Sequence, residues 1–549
     1  MEKKTALKWL YSIIGNLKYH ILSLTVLNSA ISLCAVFFAY EMRYVIDCAT
    51  SKQKDLFIRH GIIIVAIILS QLIIYAINKR EDEYVRSQIE NKIKLILYKN
   101  ILYSDYQTVT SIHSGKLLNL LTNDTVVITD GIVSIIPNVV SMLVKLVGAS
   151  FVLIQLDYRL AIIFLIGGVF LSFFTIFFRR FMKLLHKVVQ EKDGLVRSFL
   201  QESLSNILII KAYKQEDKSC IEAKNRMDEH YSIRMKRNTY TIISNVGFSL
   251  VMNIGYLFGV IWCGFGILNG DITYGVLTAV LQLINQIQQP FANVSSYLPK
   301  YYSMIASTER ILEVIDLPHE NKKMKNYYQF NSIQCKNISF HYKDGEDILD
   351  ETSLLINYRD SIGIIGESGI GKSTLLKMLL GLYHPYKGKC YLNTDGKKVL
   401  LDETTRTLFS YVPQGNYLLS GTIKESITFF SNSPLDERLM KQACYIACIS
   451  DTIESLPLKY DTYIGERGNG LSEGQIQRIA IARAIYNQAP ILLLDECTSA
   501  LDEITEKKVI HNIKELTDKT MVIVTHRKEA LKLCNRIIKI KDKKFIEKD

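Results

Sequence analysis

The sequence predicts an α-helical transmembrane bundle of six spans with long cytoplasmic helical loops, followed by a soluble α/β domain. Three observations carry this: six apolar segments of bilayer-spanning length, short turns alternating with long basic connections between them, and a strand, a glycine loop and a helix in succession within the polar C-terminal part.

A hydrocarbon core about 30 Å thick is crossed by roughly 20 apolar residues. Segments near 21–42, 57–78, 131–156, 160–178, 238–270 and 272–299 meet that length, and only the third carries a charge away from its ends, Lys145. The fifth and sixth run long enough without a charge to cross and project beyond. Lys3, Lys4, Lys8 and Lys18 precede the first apolar run as they would in a signal peptide. That run, from Ile21 to Tyr40, exceeds the roughly 7–15 residues of such a peptide and a second follows soon after, so it reads as a retained span.

Spans three and four are joined by Asp157, Tyr158 and Arg159, and five and six by Asn269, Gly270 and Asp271, whereas 79–130 and 179–237 are long and polar. The second of these is strongly basic, and the positive-inside rule then puts the termini and both long loops in the cytoplasm of a multi-pass cell-membrane protein. Within it, Leu195, Phe199, Leu204, Ile207, Ile209 and Ile210 recur at helical spacing and predict a helix buried against others. Composition turns polar and basic at 316–327, around Pro318, which reads as a linker between a membrane domain at 1–315 and a soluble domain at 328–549.

The chain of 549 residues is 48% hydrophobic yet 22% charged, as expected when half of it lives in lipid and half in water. Its net charge of +12 flanks apolar runs rather than forming one stripe, which argues against nucleic acid as a partner. Ten cysteines without a C-x-x-C pair argue against a zinc site or a disulfide framework, and Cys444 and Cys448, on one helical face, read as core packing.

The stretch 361–374 reads SIGIIGESGIGKST, with an apolar run before it and LLKMLLGL after it. Strand, glycine loop and helix N-terminus together make a phosphate cradle: Gly366, Glu367, Ser368, Gly369, Ile370 and Gly371 offer backbone N–H groups, and Lys372 adds a charge between phosphates. The Ser373 hydroxyl is placed to ligate Mg²⁺, with Thr374 beside it. Further on, 490–496 reads PILLLDE, a buried parallel strand ending in two carboxylates. Beside a phosphate loop, Asp495 is placed to hold Mg²⁺ and Glu496 to deprotonate an attacking water. ATP and Mg²⁺ are the cofactors this pattern implies.

The stretch 471–485, LSEGQIQRIAIARAI, sets Ser472, Gly474 and Gln475 at a helix start. It resembles the signature motif of the ABC ATPase family, with Glu473 where the family usually has glycine. That resemblance implies that Tyr342, in ISFHYKDGE, stacks on adenine. It further implies that Gln414, in YVPQGNYLLSGTI, contacts Mg²⁺ and the membrane domain, that residues 499–502 form the D-loop, and that His526, in VIVTHR, senses the γ-phosphate. Ser472, Gly474 and Gln475 would close over ATP held by the phosphate loop of a second chain. A partner is therefore expected, a second copy or a paralogous half-transporter.

Six spans before such a domain resemble the exporter-type ABC half-transporter, and 115–124 (GKLLNLLTND) and 202–213 (ESLSNILIIKAY) resemble its two intracellular loops. The expected function is export of a small molecule or peptide across the cytoplasmic membrane, coupled to ATP hydrolysis, with a bacteriocin-like peptide or an amphipathic drug as cargo. A lipid flippase and an ATP-gated channel or immunity protein are the alternatives on this fold; a soluble ABC protein is excluded by the six spans. The residues before the first span leave no room for an N-terminal peptidase domain. Gln282, Gln286, Gln289 and Asn293, with Asn285 nearby, share one face of the sixth span and are expected to line the cargo path.

Overall fold

The computed structural model describes residues 3–548 except 321–329, 343–344, 395, 416, 429–433 and 466–469, with backbone alone at 3, 4, 171–184, 186, 187, 292 and 294–296. Most of the expected linker, from 321 onward, lies outside the described residues. The chain divides into two compact units: Met1–Asn100 with Ser114–Asp316, and Ile101–His113 with Leu317–Asp549.

The first unit is helical. In chain order the helices are α1 (Lys3–Ile14), α2 (Lys18–Thr50), α3 (Lys54–Tyr103), α4 (Tyr106–Thr110, in the second unit), α5 (Ser114–Asn119), α6 (Thr125–Leu156), α7 (Tyr158–Ser205), α8 (Ile207–Ala212), α9 (Glu216–Leu268) and α10 (Tyr274–Ile315). The longest runs 53 residues, well over the roughly 20 that a bilayer needs, so spans continue into polar stalks without a break. Among the described residues, Thr5–Thr50, Lys54–Tyr103, Ser114–Leu156 and Glu216–Leu268 are long and apolar enough to cross a membrane. The expected spans 160–178 and 272–299 fall on α7 and α10, parts of which are described by backbone alone.

Helices α2, α6 and α10 pack along one another, and α7 packs against α9 and α10. Val36, Leu153, Leu160, Leu283, Ile284 and Ile287 meet in the core between them. Two aspartates tie the short-hairpin ends together. Asp157 caps α7 by accepting from Arg159 N at 2.9 Å, and it also accepts from Trp262 Nε1 of α9 at 2.8 Å. Asp47, at the end of α2, accepts from Thr273 Oγ1 and Gly275 N, both at 2.9 Å. A side chain at Gly275 would meet Arg43 O at 2.2 Å, so only glycine permits this approach.

The buried helix expected over 195–212 is not what forms. It breaks at Asn206 between α7 and α8, and Leu195, Leu204, Ile207, Leu208 and Ile209 are exposed. Apolar spacing identifies a face that wants burial, and nothing among the described residues covers it. The other loop, 115–124, forms α5 and a π-turn at Leu120–Asp124 that leads into α6. There the buried Asp124 takes Ser307 Oγ at 2.8 Å and Arg310 Nε at 3.1 Å.

The second unit is α/β. Its strands are β1 (Ser332–Phe340), β2 (Leu349–Asn357), β3 (Ser361–Ile365), β4 (Lys387–Thr394), β5 (Lys397–Leu400), β6 (Phe409–Val412), β7 (Gly421–Thr422), β8 (Tyr463–Ile464), β9 (Ile491–Asp495), β10 (Thr520–Val524), β11 (Arg536–Lys541) and β12 (Lys544–Lys548). A six-stranded sheet has the order β12-β11-β3-β10-β9-β6, parallel except for β12. An antiparallel sheet, β2-β1-β4-β5, packs one face against it through Phe340, Leu349, Ile364, Leu375 and Val524. A disulfide joins Cys335 of β1 to Cys390 of β4, directly opposite in register, a pairing that the sequence spacing gave no reason to expect.

The helices of this unit are α11 (Lys372–Leu379), α12 (Ile423–Thr428), α13 (Glu437–Ile446), α14 (Ser450–Glu454), α15 (Glu473–Tyr486), α16 (Glu503–Lys514) and α17 (Lys528–Leu531). Cys444 is buried in the core that α13 and α15 share, whereas Cys448 lies past the end of α13 with φ 54° and so leaves the helical face expected for it. The segment Ile101–His113 joins this unit through backbone bonds, Asp105 N to Pro318 O at 2.8 Å and Glu320 N to Tyr103 O at 2.9 Å. Arg406 forks onto Glu320 at 2.6 and 2.7 Å.

Candidate nucleotide-binding site

Strand β3 ends where the glycine loop begins, and Gly371, at φ 106°, is the left-handed residue that starts α11. A Cβ there would lie 2.4 Å from Ile348 Cγ2, so the loop closes only around glycine. Lys372 is 7% exposed and its ammonium donates to Gly366 O at 2.7 Å, Glu367 O at 2.9 Å and His526 Nε2 at 2.9 Å. Burial pushes the Lys372 pKa down, against the pull of Glu496 and Asp495. A phosphate entering the loop competes with two carbonyls for this lysine.

Parallel pairing of β9 beside β10 delivers the two carboxylates to the same end of the sheet as the loop. Asp495 is 1% exposed; Tyr411 donates to its Oδ2 at 3.3 Å, and its Oδ1 has no hydrogen-bond partner among the described residues. Burial raises its pKa, with the Ser373 and Tyr411 hydroxyls working the other way. Glu496 sits at φ 49°, a strained setting for a non-glycine residue, held by its N–H on Val524 O at 2.9 Å. Its Oε2 accepts from Gln414 Nε2 at 2.7 Å, and its Oε1 stands 3.7 Å from His526 Nε2. Lys372, His526, Glu496 and Gln414 thus form one contiguous polar row. Beside it a cavity of about 570 Å³ is lined by Ser373, Lys377, Tyr411, Gln414, Arg483 and Asp495, with Tyr106 at its edge.

Tyr342 is part-exposed, hydrogen-bonded through its hydroxyl to Thr374 Oγ1 at 2.9 Å, and edge-on to Phe340 and Tyr383. Its ring therefore borders the start of α11. Ser472 caps α15 and Gln475 closes a capping box with it, Ser472 N donating to Gln475 Oε1 at 2.9 Å. Glu473, the departure from the usual motif, is the exposed first residue of the helix, where a carboxylate suits the helix dipole. Gly474 packs on the D-loop: a Cβ would lie 2.9 Å from Ala500 O.

Residues outside the recognised motifs complete the wiring. Gln477 binds Ser499 Oγ at 2.8 Å and accepts from Ala500 N at 3.0 Å, joining signature helix to D-loop. Arg527, next to His526, donates to Ser499 O, Leu501 O and the buried Glu506. Only adjacency to a motif hinted at these residues, since their partners are remote in sequence.

Two family models match in series: the ABC transporter transmembrane region over residues 21–291 and the ABC transporter domain over residues 349–499. The chain belongs to the ABC transporter family. It is an exporter-type half-transporter and an ATP hydrolase coupled to transport, and a dimer is the working form of this fold. The transporter is 31% identical over 389 residues to the lactococcin-G-processing and transport ATP-binding protein of Lactococcus lactis subsp. lactis, a match covering 68% of this chain and 54% of that relative. It is 27% identical to the lactococcin-A transport/processing ATP-binding protein of the same organism, over 100% of this chain and 76% of the relative. Its fold matches a bacterial Atm1-family ABC exporter with ATP bound at a TM-score of 0.80, with 20% identity, over 98% of this chain and 95% of that one.

In the transporter's membrane domain the expected amide face divides. Gln286 donates to Ala35 O of α2 at 2.8 Å and serves packing, whereas Asn285 and Gln289 are exposed. Gln289 Oε1 accepts from Lys145 Nζ of α6 at 2.9 Å.

Proposed function

We propose that the transporter is a homodimeric exporter of peptide-like cargo, with its termini and nucleotide domain in the cytoplasm. The observation that carries the cargo reading is the exposed pair of amides, Asn285 and Gln289, on a helix of the membrane core. Amides at that depth need a polar counterpart, which a peptide backbone supplies and a lipid chain does not. Likeness to two lactococcin transport proteins supports the same class. The basic loop at 179–237 supports the orientation.

At the nucleotide site, Lys372 and the N–H groups of 366–374 would hold the β- and γ-phosphates, and Tyr342 would stack on adenine. The orphaned Asp495 Oδ1 and the Ser373 hydroxyl form an all-oxygen donor set that fits Mg²⁺ with few protein ligands, the remainder coming from phosphate and water. When bound, the ion supplies charge neutralisation on the phosphates. Glu496, oriented by Gln414, would take the proton of the attacking water, with His526 placed toward the γ-phosphate. Ser472, Gly474 and Gln475 would close on the ATP held by the partner. With Glu496 and this capped signature helix in one chain, two copies give two equal sites. The exposed apolar face of α8 supports a second copy covering what this chain leaves bare.

The test is ATP-dependent uptake into inside-out vesicles from a panel of an amphipathic peptide, a fluorescent lipid and a cationic dye. Uptake of the peptide is expected; uptake of only the lipid or the dye overturns the reading.

A further inference from the structure

Among the described residues Lys145 is a charge without a counter-charge. It lies twelve residues before the Asp157 hairpin, about 18 Å along the helix, so its ammonium sits near the middle of a hydrocarbon core about 30 Å thick. From there a lysine stem does not reach either interface. Such a residue is disfavoured in a lipid-facing helix, so it belongs against protein or a water-filled path. Among the described residues Lys145 forms no ion pair, and its hydrogen bond goes to the neutral Gln289 Oε1. No acidic residue occurs at 131–156 or 272–308, so identical helices of a second copy bring none either.

The surroundings are polar on both sides. On α6, Ser134, Asn138, Ser141 and Lys145 follow at intervals of four, three and four, which puts them on one face. On α10, Asn285 and Gln289 do the same, and the bond from Lys145 to Gln289 joins the two stripes. Ser141 Oγ is satisfied within its helix on Asn138 O at 3.0 Å, which leaves the ammonium as the single fixed charge of this face.

We infer that Lys145, steadied by Gln289 and flanked by Asn285, receives a carboxylate of the cargo within the membrane, so that peptides bearing acidic side chains or a free C-terminus are preferred. This rests on the peptide reading above and adds the charge of the group that is read. A carboxylate entering the path exchanges the neutral Gln289 acceptor for a charged one, and a charge-assisted bond is roughly twice as strong as a neutral one.

The experiment uses the full-length transporter in proteoliposomes and titrates its ATP hydrolysis with a synthetic amphipathic peptide carrying glutamates, then with a twin carrying glutamine at the same positions. The acidic peptide is expected to reach half-maximal stimulation at a roughly tenfold lower concentration. That gap should close in Lys145→Met and survive in Lys145→Arg. Equal concentrations for the two peptides in the unaltered transporter overturn the inference while leaving peptide export standing, as does a gap that persists in Lys145→Met. Stimulation by a lipid or a dye but by neither peptide overturns the peptide reading itself. The unaltered transporter's response to the two peptides decides the matter even where Lys145→Met fails to assemble.

Discussion

Lys372 Nζ donates to His526 Nε2 at 2.9 Å, so the lysine that opens α11 and the histidine that follows β10 share one proton-bearing contact. Lys372 also holds two loop carbonyls, and a phosphate must draw it away from all three. Lys372→Ala removes the only cation in the loop and should weaken ATP binding about 10–100-fold, the worth of one charge-assisted bond. His526→Ala leaves the loop lysine in place and should slow turnover more than it weakens binding. Titration of a fluorescent ATP analogue separates the two; an unchanged affinity in Lys372→Ala would show that the loop is not the phosphate site.

Glu496→Gln keeps the shape of the group that Gln414 holds and removes its basicity. Steady-state ATP hydrolysis should fall by about 10²–10⁴ while ATP still binds. Trapped nucleotide, counted after rapid desalting of the purified dimer, checks this. Near-normal hydrolysis would move the base to another carboxylate.

Asp495 is buried with its pKa raised, so its ionised form is disfavoured in the folded protein. The sign follows: a raised folded pKa means that the stabilisation is present below the ordinary carboxylate range and is lost as pH rises through the folded value. At neutral pH in chelator, Asp495→Asn should therefore raise the melting midpoint of the nucleotide domain by about 2–4 °C, and the advantage should shrink as pH falls. The same substitution should abolish the added stabilisation by Mg²⁺ with ATP. A midpoint that falls at neutral pH would refute the electrostatic account.

Gly474 approaches Ala500 O so closely that a methyl group at 2.9 Å cannot be accommodated in place. Gly474→Ala should displace the start of α15 from the D-loop and lower hydrolysis about 10–100-fold. ATP affinity measured on the same protein should hold within about twofold, because the phosphate loop is not touched. A parallel loss of both would mean that the change has unfolded the domain.

The glycine loop, the strand ending in two carboxylates and the capped helix at Glu473–Tyr486 were legible because backbone conformation and local spacing specify them. Gly371 must take a left-handed φ next to Lys372, Ser472 and Gln475 cap the same turn, and a run of four apolar residues must precede Asp495. The membrane helices were legible for a similar reason, since a bilayer counts apolar residues in a row. Spacing misled at 195–212, where a face that reads as buried stands exposed, and at Gln286, whose amide went to a neighbouring helix rather than to the face it shares in sequence.

The amino-acid sequence by itself determined the order of the two domains, the apolar helices and the charged residues and glycine-loop conformation, because each depends on neighbours along the chain. The tertiary structure alone decided which of them meet. Parallel strands β3, β9 and β10 carry Lys372, Glu496 and His526 to one end of the sheet across more than a hundred residues, and Gln477 and Arg527 find the D-loop only there. Chain separation sets no distance, so contacts such as Lys145 with Gln289 are fixed only when packing has placed one helix against another.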